Sequence, residues 1–282
     1  MNERQAHFEQ TLLAHVAKLN VYSEQEDGQW TVKGFIDVFK NIYTISADTK
    51  IVSKILEIHI FPELLKFADE AGYEIVLADH QNYYPDISFV ALDDPTVKFA
   101  VDLKTTYRLQ EKPGYCNGFT LGSHGAYFID RTGKKNIQFP YSEYTAHYCL
   151  GVIYDRALKT DLDETRIYDI ADLGSITSVI SNLQFFLTEK WKIASDKSGS
   201  GNTANIGSIN NVEEIVAGTG MFSRLGESCF DDYWMNYGKI SVTLPSGVTK
   251  KITDIESFLV YRGGDPSLIV YKHGSRKRAL NG

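Results

Sequence analysis

QNYYPDISFVALDDPTVKFAVDLKTTY, residues 81–107, reads as two strands joined by a turn. Aromatic and β-branched residues dominate 84–90 and 97–104, and Asp93-Asp94-Pro95 between them is a turn signal. Asp86 and Asp102 lie on these neighbouring strands, each beside an apolar run, ISFV after one and FAV before the other. The strand period of two puts Lys104 on the same face as Asp102. Paired carboxylates on adjacent strands suit Mg²⁺, which takes hard oxygen ligands and keeps several waters. An ammonium beside them can orient such a water and offset charge building on a phosphate. The same letters could decorate a solvated strand face. The apolar context argues against that, because a buried charge needs a partner or a metal.

Upstream, residues 1–20 place Phe8, Leu12, Leu13, Val16 and Leu19 at helical spacing, which predicts a packing helix. Residues 21–47 are polar and aromatic, with Asp27-Gly28 as a turn between short strands, and read as an edge sheet or a subunit contact. Asp48 is the N-cap of a helix with Ile51, Ile55 and Ile58 as its apolar stripe, interrupted by Pro62. Residues 64–71 continue as helix to a Gly72 stop, and 73–77 lead toward the central strands. On pattern alone Glu57 is a surface glutamate. The polar loop before Asp86 contains Gln81 and Asn82, an ordinary connector by composition, although such amides also pair with adenine.

Downstream, 112–125 is turn-like, 140–158 suits a buried helix or helix–strand pair, and 185–194 reads as a strand. His147 is a core histidine, and no HExxH or HxxxH pattern points to zinc. SDKSGSGNTANIGSINN, residues 195–211, lacks a nucleotide-binding P-loop. It is either a flexible linker or a tight loop whose small residues let the backbone approach base edges. Residues 230–234 form a helical packing element.

The chain has 282 residues, 43% of them hydrophobic, enough for a sizeable core. No run of about eighteen apolar residues predicts a transmembrane helix, and the amphipathic start lacks a signal-peptide core. Three scattered cysteines without CxxC argue against a disulfide framework and for a reducing cytoplasm. Net charge is −7, unlike most nucleic-acid-binding proteins. The balance is uneven, however: residues 101–140 carry six basic side chains against three acidic ones, which permits a positive groove on an acidic body.

Pro85-Asp86 followed by Asp102-Leu103-Lys104 resembles the PD-(D/E)xK nuclease signature, and the words NYYPD and VDLKTTY resemble the EcoRV-type type II restriction endonucleases. Further matching words lie at 48–50, 119–122, 135–137, 199–209, 232–234 and 261–263. The resemblance implies an α/β (α+β) class with a restriction-endonuclease-like core, a central mixed β-sheet flanked by helices. It divides one domain into a dimerisation or edge region (1–47), a catalytic core (48–195), a DNA-recognition region (196–264) and a basic tail (265–282). It implies a homodimer that needs Mg²⁺, acts on double-stranded DNA at GATATC to leave blunt ends, and works in a prokaryotic cytoplasm beside a cognate DNA methyltransferase. Asp86 and Asp102 resemble the metal-binding acids, Lys104 the catalytic lysine and Glu57 an accessory acid that could hold a second metal. Gly199, Ser200, Gly201, Asn202 and Thr203 match the major-groove reading loop, and Gln81 and Asn82 the minor-groove loop. Thr49, Lys50, Tyr107, Lys135 and Lys239 fall where phosphate contacts are expected. This sequence departs from the pattern at Tyr83, in place of a histidine, and at Ala204, in place of a threonine. Residues 123–134 are longer than the family's, and 1–40 align poorly. Two other classes compete: a repair or junction-resolving PD-(D/E)xK nuclease, which would lack the reading-loop word, and a non-cleaving DNA-binding module, which would lose one of the three central residues.

Overall fold

A computed structural model describes residues 2–80, 82–199, 204–243 and 247–270. In chain order the elements are α1 (Glu3–Ser23), β1 (Gly34–Ile36), β2 (Asn41–Thr44), α2 (Thr49–Ala71), β3 (Tyr73–Leu77), β4 (Ile87–Ala91), β5 (Lys98–Tyr107), β6 (Thr120–Ser123), α3 (Ala126–Ile129) and β7 (Ala146–Arg156). They are followed by β8 (Ile167–Asp169), β9 (Ile180–Glu189), β10 (Ala194–Ser198), β11 (Asn205–Ser208), α4 (Val212–Ala217), α5 (Glu227–Asn236), β12 (Ser241–Thr243), β13 (Thr249–Lys251) and α6 (Ile255–Arg262). Two compact units result, one of residues 1–79, 85–117 and 144–187, the other of 80–84, 118–143 and 188–282.

The first unit is built on a five-stranded mixed sheet in the order β3-β4-β5-β7-β9. β3, β4 and β5 run antiparallel, whereas β5 and β7 are parallel from Phe99↔Ala146 to Tyr107↔Tyr154. Strands buried on both faces read as continuous apolar runs, and β7 is buried from Ala146 to Tyr154. That burial decides the 140–158 segment: only Tyr141–Glu143 makes a short 3₁₀ turn, and the rest is strand.

α1 and α2 cover this sheet. Phe8 stacks on Phe99 at 4.0 Å and meets Phe67, Tyr73, Phe89 and Tyr148 at 5.2–5.8 Å. Truncating so enclosed a ring to alanine typically costs about 3–5 kcal/mol. α1 follows the expected spacing except at Leu13, which is 40% exposed. For α2 the expected stripe is wrong. Ile51 and Ile58 are exposed, and the buried face is Val52, Leu56, Ile60, Leu64, Phe67 and Ala68. Pro62 does not interrupt α2, which runs through it. A helix tolerates a missing N–H when packing of its apolar face outweighs the lost bond. Asp48 caps α2 by accepting from Lys50 N, and Gly72 ends it at φ 76°.

A second, three-stranded sheet of the same unit, β1-β2-β8, leaves a large apolar row in solvent. Phe35 pairs with Tyr43 and Tyr43 with Ile167 across it, all exposed, and Val38 and Phe39 protrude from the β1–β2 turn.

The second unit holds the sheet β10-β11-β6 and the hairpin β12–β13. The 185–194 segment is not one strand: β9 ends at Glu189, residues Lys190–Ile193 form a 3₁₀ turn, and β10 follows. α5 buries Phe230, Tyr233 and Trp234, as its sequence predicts. Cys116, Cys149 and Cys229 are free thiols. Among the described residues no helix is long and apolar enough to cross a membrane.

Candidate active site

The strand expected over 84–90 starts later, which leaves Asp86 outside it. Pro85 lacks an N–H, Tyr84 bridges to Ile137 instead, and β4 starts at Ile87. Asp86 is thus left at the mouth of β4, where its Oδ2 accepts the N–H of Leu103 at 2.7 Å. The side chain replaces a ladder partner, so the carboxylate is tied to the backbone between the other two site residues.

Asp102 and Lys104 lie on β5 between β4 and β7, and the strand period puts them side by side. Lys104 Nζ is 2.5 Å from Asp102 Oδ2 and 3.9 Å from Asp86 Oδ2, and it donates to Leu103 O at 3.1 Å. Asp102 is buried. Burial pushes the Asp86 carboxyl up, Asp102 adds to it, and the result is about 7 in spite of Lys104 and the Leu103 amide. Burial would lower the Lys104 ammonium, but Asp102 and Asp86 outweigh it and raise its pKa. Lys104 therefore stands as a cation between the two acids. Next to Asp102 in the parallel register stands Cys149, whose thiol burial keeps protonated.

Glu57 lies on α2 with its carboxylate 2.7 Å from Lys54 Nζ. Among the described residues no three His, Cys, Asp or Glu side chains gather closely enough to share a metal, so Asp86 and Asp102 form a pair and Glu57 stands apart from it. Lys54, which pattern reading passed over, is held charged by Glu57 and, more weakly, by Asp86. Its signal was its place at i+4 from Lys50 and i−3 from Glu57, one stripe of α2.

Thr49 and Lys50 occupy the first turn of α2, where backbone amides carry partial positive charge. Tyr107, at the end of β5, lies under the Arg156 guanidinium, 3.6 Å from its ring centre, and lines a cleft of about 860 Å³ with Ser46 and Asp48. Arg156 lines the same cleft.

In the other unit Asn82 is exposed in a turn and Lys135 is exposed. Lys239 donates to Met235 O at 2.7 Å. Gly199 closes β10 against β11 by donating to Asn205 O. A Cβ there would meet Thr120 Cγ2 at 2.6 Å, so a larger residue would have to shift the Thr120 side chain. On either side of residues 199–203, β10 and β11 pair antiparallel, Ala194↔Ser208 and Ser198↔Ile206. Gln81, Ser200, Gly201, Asn202, Thr203 and most of the basic tail lie outside the described residues. Of the two departures, Tyr83 packs edge-on to His80 and Ala204 accepts from His124 N.

Asp102 and Lys104 on β5, with Asp86 just before β4, bring two acids and a lysine together in a way that suits phosphodiester hydrolysis. A family profile described as Restriction endonuclease EcoRV matches residues 26–263. The type II restriction enzyme EcoRV of Escherichia coli is 36% identical over 239 residues, 84% of this chain and 94% of that one. The chain belongs to the EcoRV restriction endonuclease family. It is a restriction endonuclease, a phosphodiester hydrolase acting on double-stranded DNA. The match starts well before the words at 48–50 that first carried the resemblance.

Proposed function

We propose that this chain is a type II site-specific deoxyribonuclease that cuts both strands of a short palindrome, GATATC, to blunt ends carrying 5′-phosphates. The observation that carries the chemistry is the Lys104 ammonium held 2.5 Å from Asp102 and 3.9 Å from Asp86.

The donor set fits Mg²⁺. Asp86 and Asp102 offer hard oxygens, and a dication would offset what pushes Asp86 up, burial first and the charge of Asp102 second. When bound, Mg²⁺ lowers the pKa of water and polarises phosphoryl oxygens. Asp86 and Asp102 would hold that ion, with one Asp86 oxygen fixed by the Leu103 amide. Lys104, always charged, donates hydrogen bonds to the attacking water and to the non-bridging oxygen on which negative charge builds. Water attacks phosphorus in line and gives up a proton to solvent, the bond to the 3′ oxygen breaks, and that oxygen takes up a proton from solvent. Glu57 serves as the accessory acid.

Specificity is assigned to Gly199–Thr203 in the major groove and Gln81 and Asn82 in the minor groove. A central TA step, easily unstacked, adds discrimination through bending energy. Thr49, Lys50, Tyr107, Lys135 and Lys239 take phosphates; the partial positive charge of the first turn of α2 favours this for the first two. A palindrome calls for a two-fold homodimer. The exposed row Phe35, Tyr43 and Ile167 with Val38 and Phe39 supports it, because apolar patches of this kind mark interfaces. This matches a dimerisation role for 1–47, with 48–195 as catalytic core and 196–264 for recognition. A prokaryotic cytoplasm and a cognate methyltransferase to protect host DNA belong to the same reading.

The test is digestion of a plasmid bearing one GATATC site with Mg²⁺, followed by sequencing of the ends. One blunt cut between T and A, lost in Asp102→Ala, is the expected result. Cutting at another sequence would overturn the site assignment and leave the chemistry. Specific binding without cutting would overturn the chemistry.

A further inference from the structure

Lysines are almost never fully buried, yet Lys190 is 2% exposed. It opens the 3₁₀ turn Lys190–Ile193 that interrupts the chain where β9 ends at Glu189. The cost of enclosing an ammonium has to be offset by what surrounds it. Its Nζ lies 4.6 Å from the centre of the Tyr84 ring, 4.7 Å from that of Tyr141 and 5.5 Å from that of Phe128. Ring faces attract a cation within about 6 Å, the more so where water is excluded. Glu227 feels the same ammonium.

Tyr84 is held from other sides as well. It is buried, its ring stacks on Tyr127 at 5.3 Å, its N–H donates to Asn136 O at 3.1 Å and its carbonyl accepts from Gln138 N–H at 2.9 Å. All of these partners belong to the second unit, as does Lys190, and the chain leaves that unit at Tyr84, with Pro85 and Asp86 next. Two residues span at most about 7 Å. Pro85 fixes its own φ and narrows the conformations open to Tyr84. A displaced Tyr84 therefore passes most of its movement on to Asp86.

We propose that Lys190 is a positioning residue for DNA cleavage, which by gripping the rings of Tyr84 and Tyr141 fixes the segment of chain that carries Asp86. The inference rests on the reading of Asp86 as part of the cleavage centre. The Leu103 amide holds the Asp86 side chain, and the Lys190 cage holds the backbone that delivers it.

The experiment uses the full chain. In nuclear magnetic resonance the ε-methylene protons of Lys190, assigned by their loss in Lys190→Met, should lie upfield of the other lysines because ring currents shield them, and Tyr84→Leu should move them back. Cleavage of a duplex that wild type cuts is then measured at a temperature where circular dichroism shows each variant folded. Lys190→Met and Tyr84→Leu should each lower kcat about 10²-fold, as a misplacement near 1 Å does, with KM for DNA unchanged. The double variant should be no slower than either, and Tyr84→Phe, which keeps the ring face, should cut as wild type does. An unshifted lysine signal in wild type would overturn the inference. So would additive losses, or variants that melt lower yet keep the wild-type kcat. Glu227→Gln as slow as Lys190→Met would replace it with a counter-charge role for Lys190. Failure of the underlying reading looks different: Asp86→Ala would then still cut, whatever the Lys190 variants do.

Discussion

Lys104→Met keeps the length of the side chain and removes the ammonium 2.5 Å from Asp102 and 3.9 Å from Asp86. Removing one partner of a buried pair typically costs about 3–5 kcal/mol. The cost here is smaller for two reasons. The Asp86 side chain is 38% exposed, so water screens part of the repulsion. Asp86 can also take up a proton, since its carboxyl is already pushed to about 7. Each pH step above a group's pKa raises the cost of that protonation by about 1.4 kcal/mol. The expected loss near neutral pH, without metal, is about 2 kcal/mol, a melting temperature lower by about 4–8 °C. A carboxyl whose folded pKa is raised contributes stability below its unfolded pKa and loses it as pH rises through the folded one. The deficit of the variant should therefore widen from acid toward alkaline pH. Magnesium should restore more to the variant than to wild type, because a dication replaces the missing charge. DNA cleavage should fall by about 10²–10³-fold, as when one donor to a developing oxyanion is lost. Thermal melts across pH, with and without magnesium, are the assay. Coincident melting of variant and wild type at every pH, with equal gains from magnesium, would refute the view of Lys104 as the counter-charge of this pair.

Gly151 pairs with Lys104 in the parallel register, and a Cβ there would lie 2.0 Å from the Phe186 ring. Gly151→Ala should lower stability by about 1–3 kcal/mol through overpacking, and an unchanged urea midpoint would contradict the packing described. Glu227 reaches solvent as a residue, yet loss of water around its carboxyl, with Asp231 and Glu189 nearby, pushes it up to about 7 in spite of Lys190 and Arg131. Relative to Glu227→Gln, wild type should match in acid and fall behind as pH rises toward 7, then hold a constant gap; melting curves in which the gap closes with rising pH would reverse the assignment. Phe35→Asp together with Phe39→Asp should turn the proposed dimer into monomers in sedimentation velocity without loss of helix content, and a dimer that persists would place the interface elsewhere.

Some of this molecule is written in short-range pattern. Asp48 and Gly72 bound α2 because a cap and a left-handed glycine act within a few residues of themselves. The Asp102–Lys104 contact follows from the strand period alone, and the words around it carry the family. What pattern could not decide depends on neighbours distant in sequence. α2 runs through Pro62 and presents Val52, Leu56 and Ile60 instead of Ile51 and Ile58, because the surface beneath it chooses which side is buried. Residues 146–156 become a strand because they lie beside β5, and 185–194 breaks at Glu189 although its letters favour continuation. Arg156, a lone cation at the end of β7, has no spacing that marks it, whereas Lys54 is legible only as part of the Lys50–Lys54–Glu57 stripe of α2. The sequence by itself placed Asp102 and Lys104 on one face of one strand. Only the tertiary structure decided that Asp86 is held by the Leu103 amide and that Glu57 is held by Lys54, since hydrogen bonds and charges act through space at a few ångströms, whatever the separation along the chain.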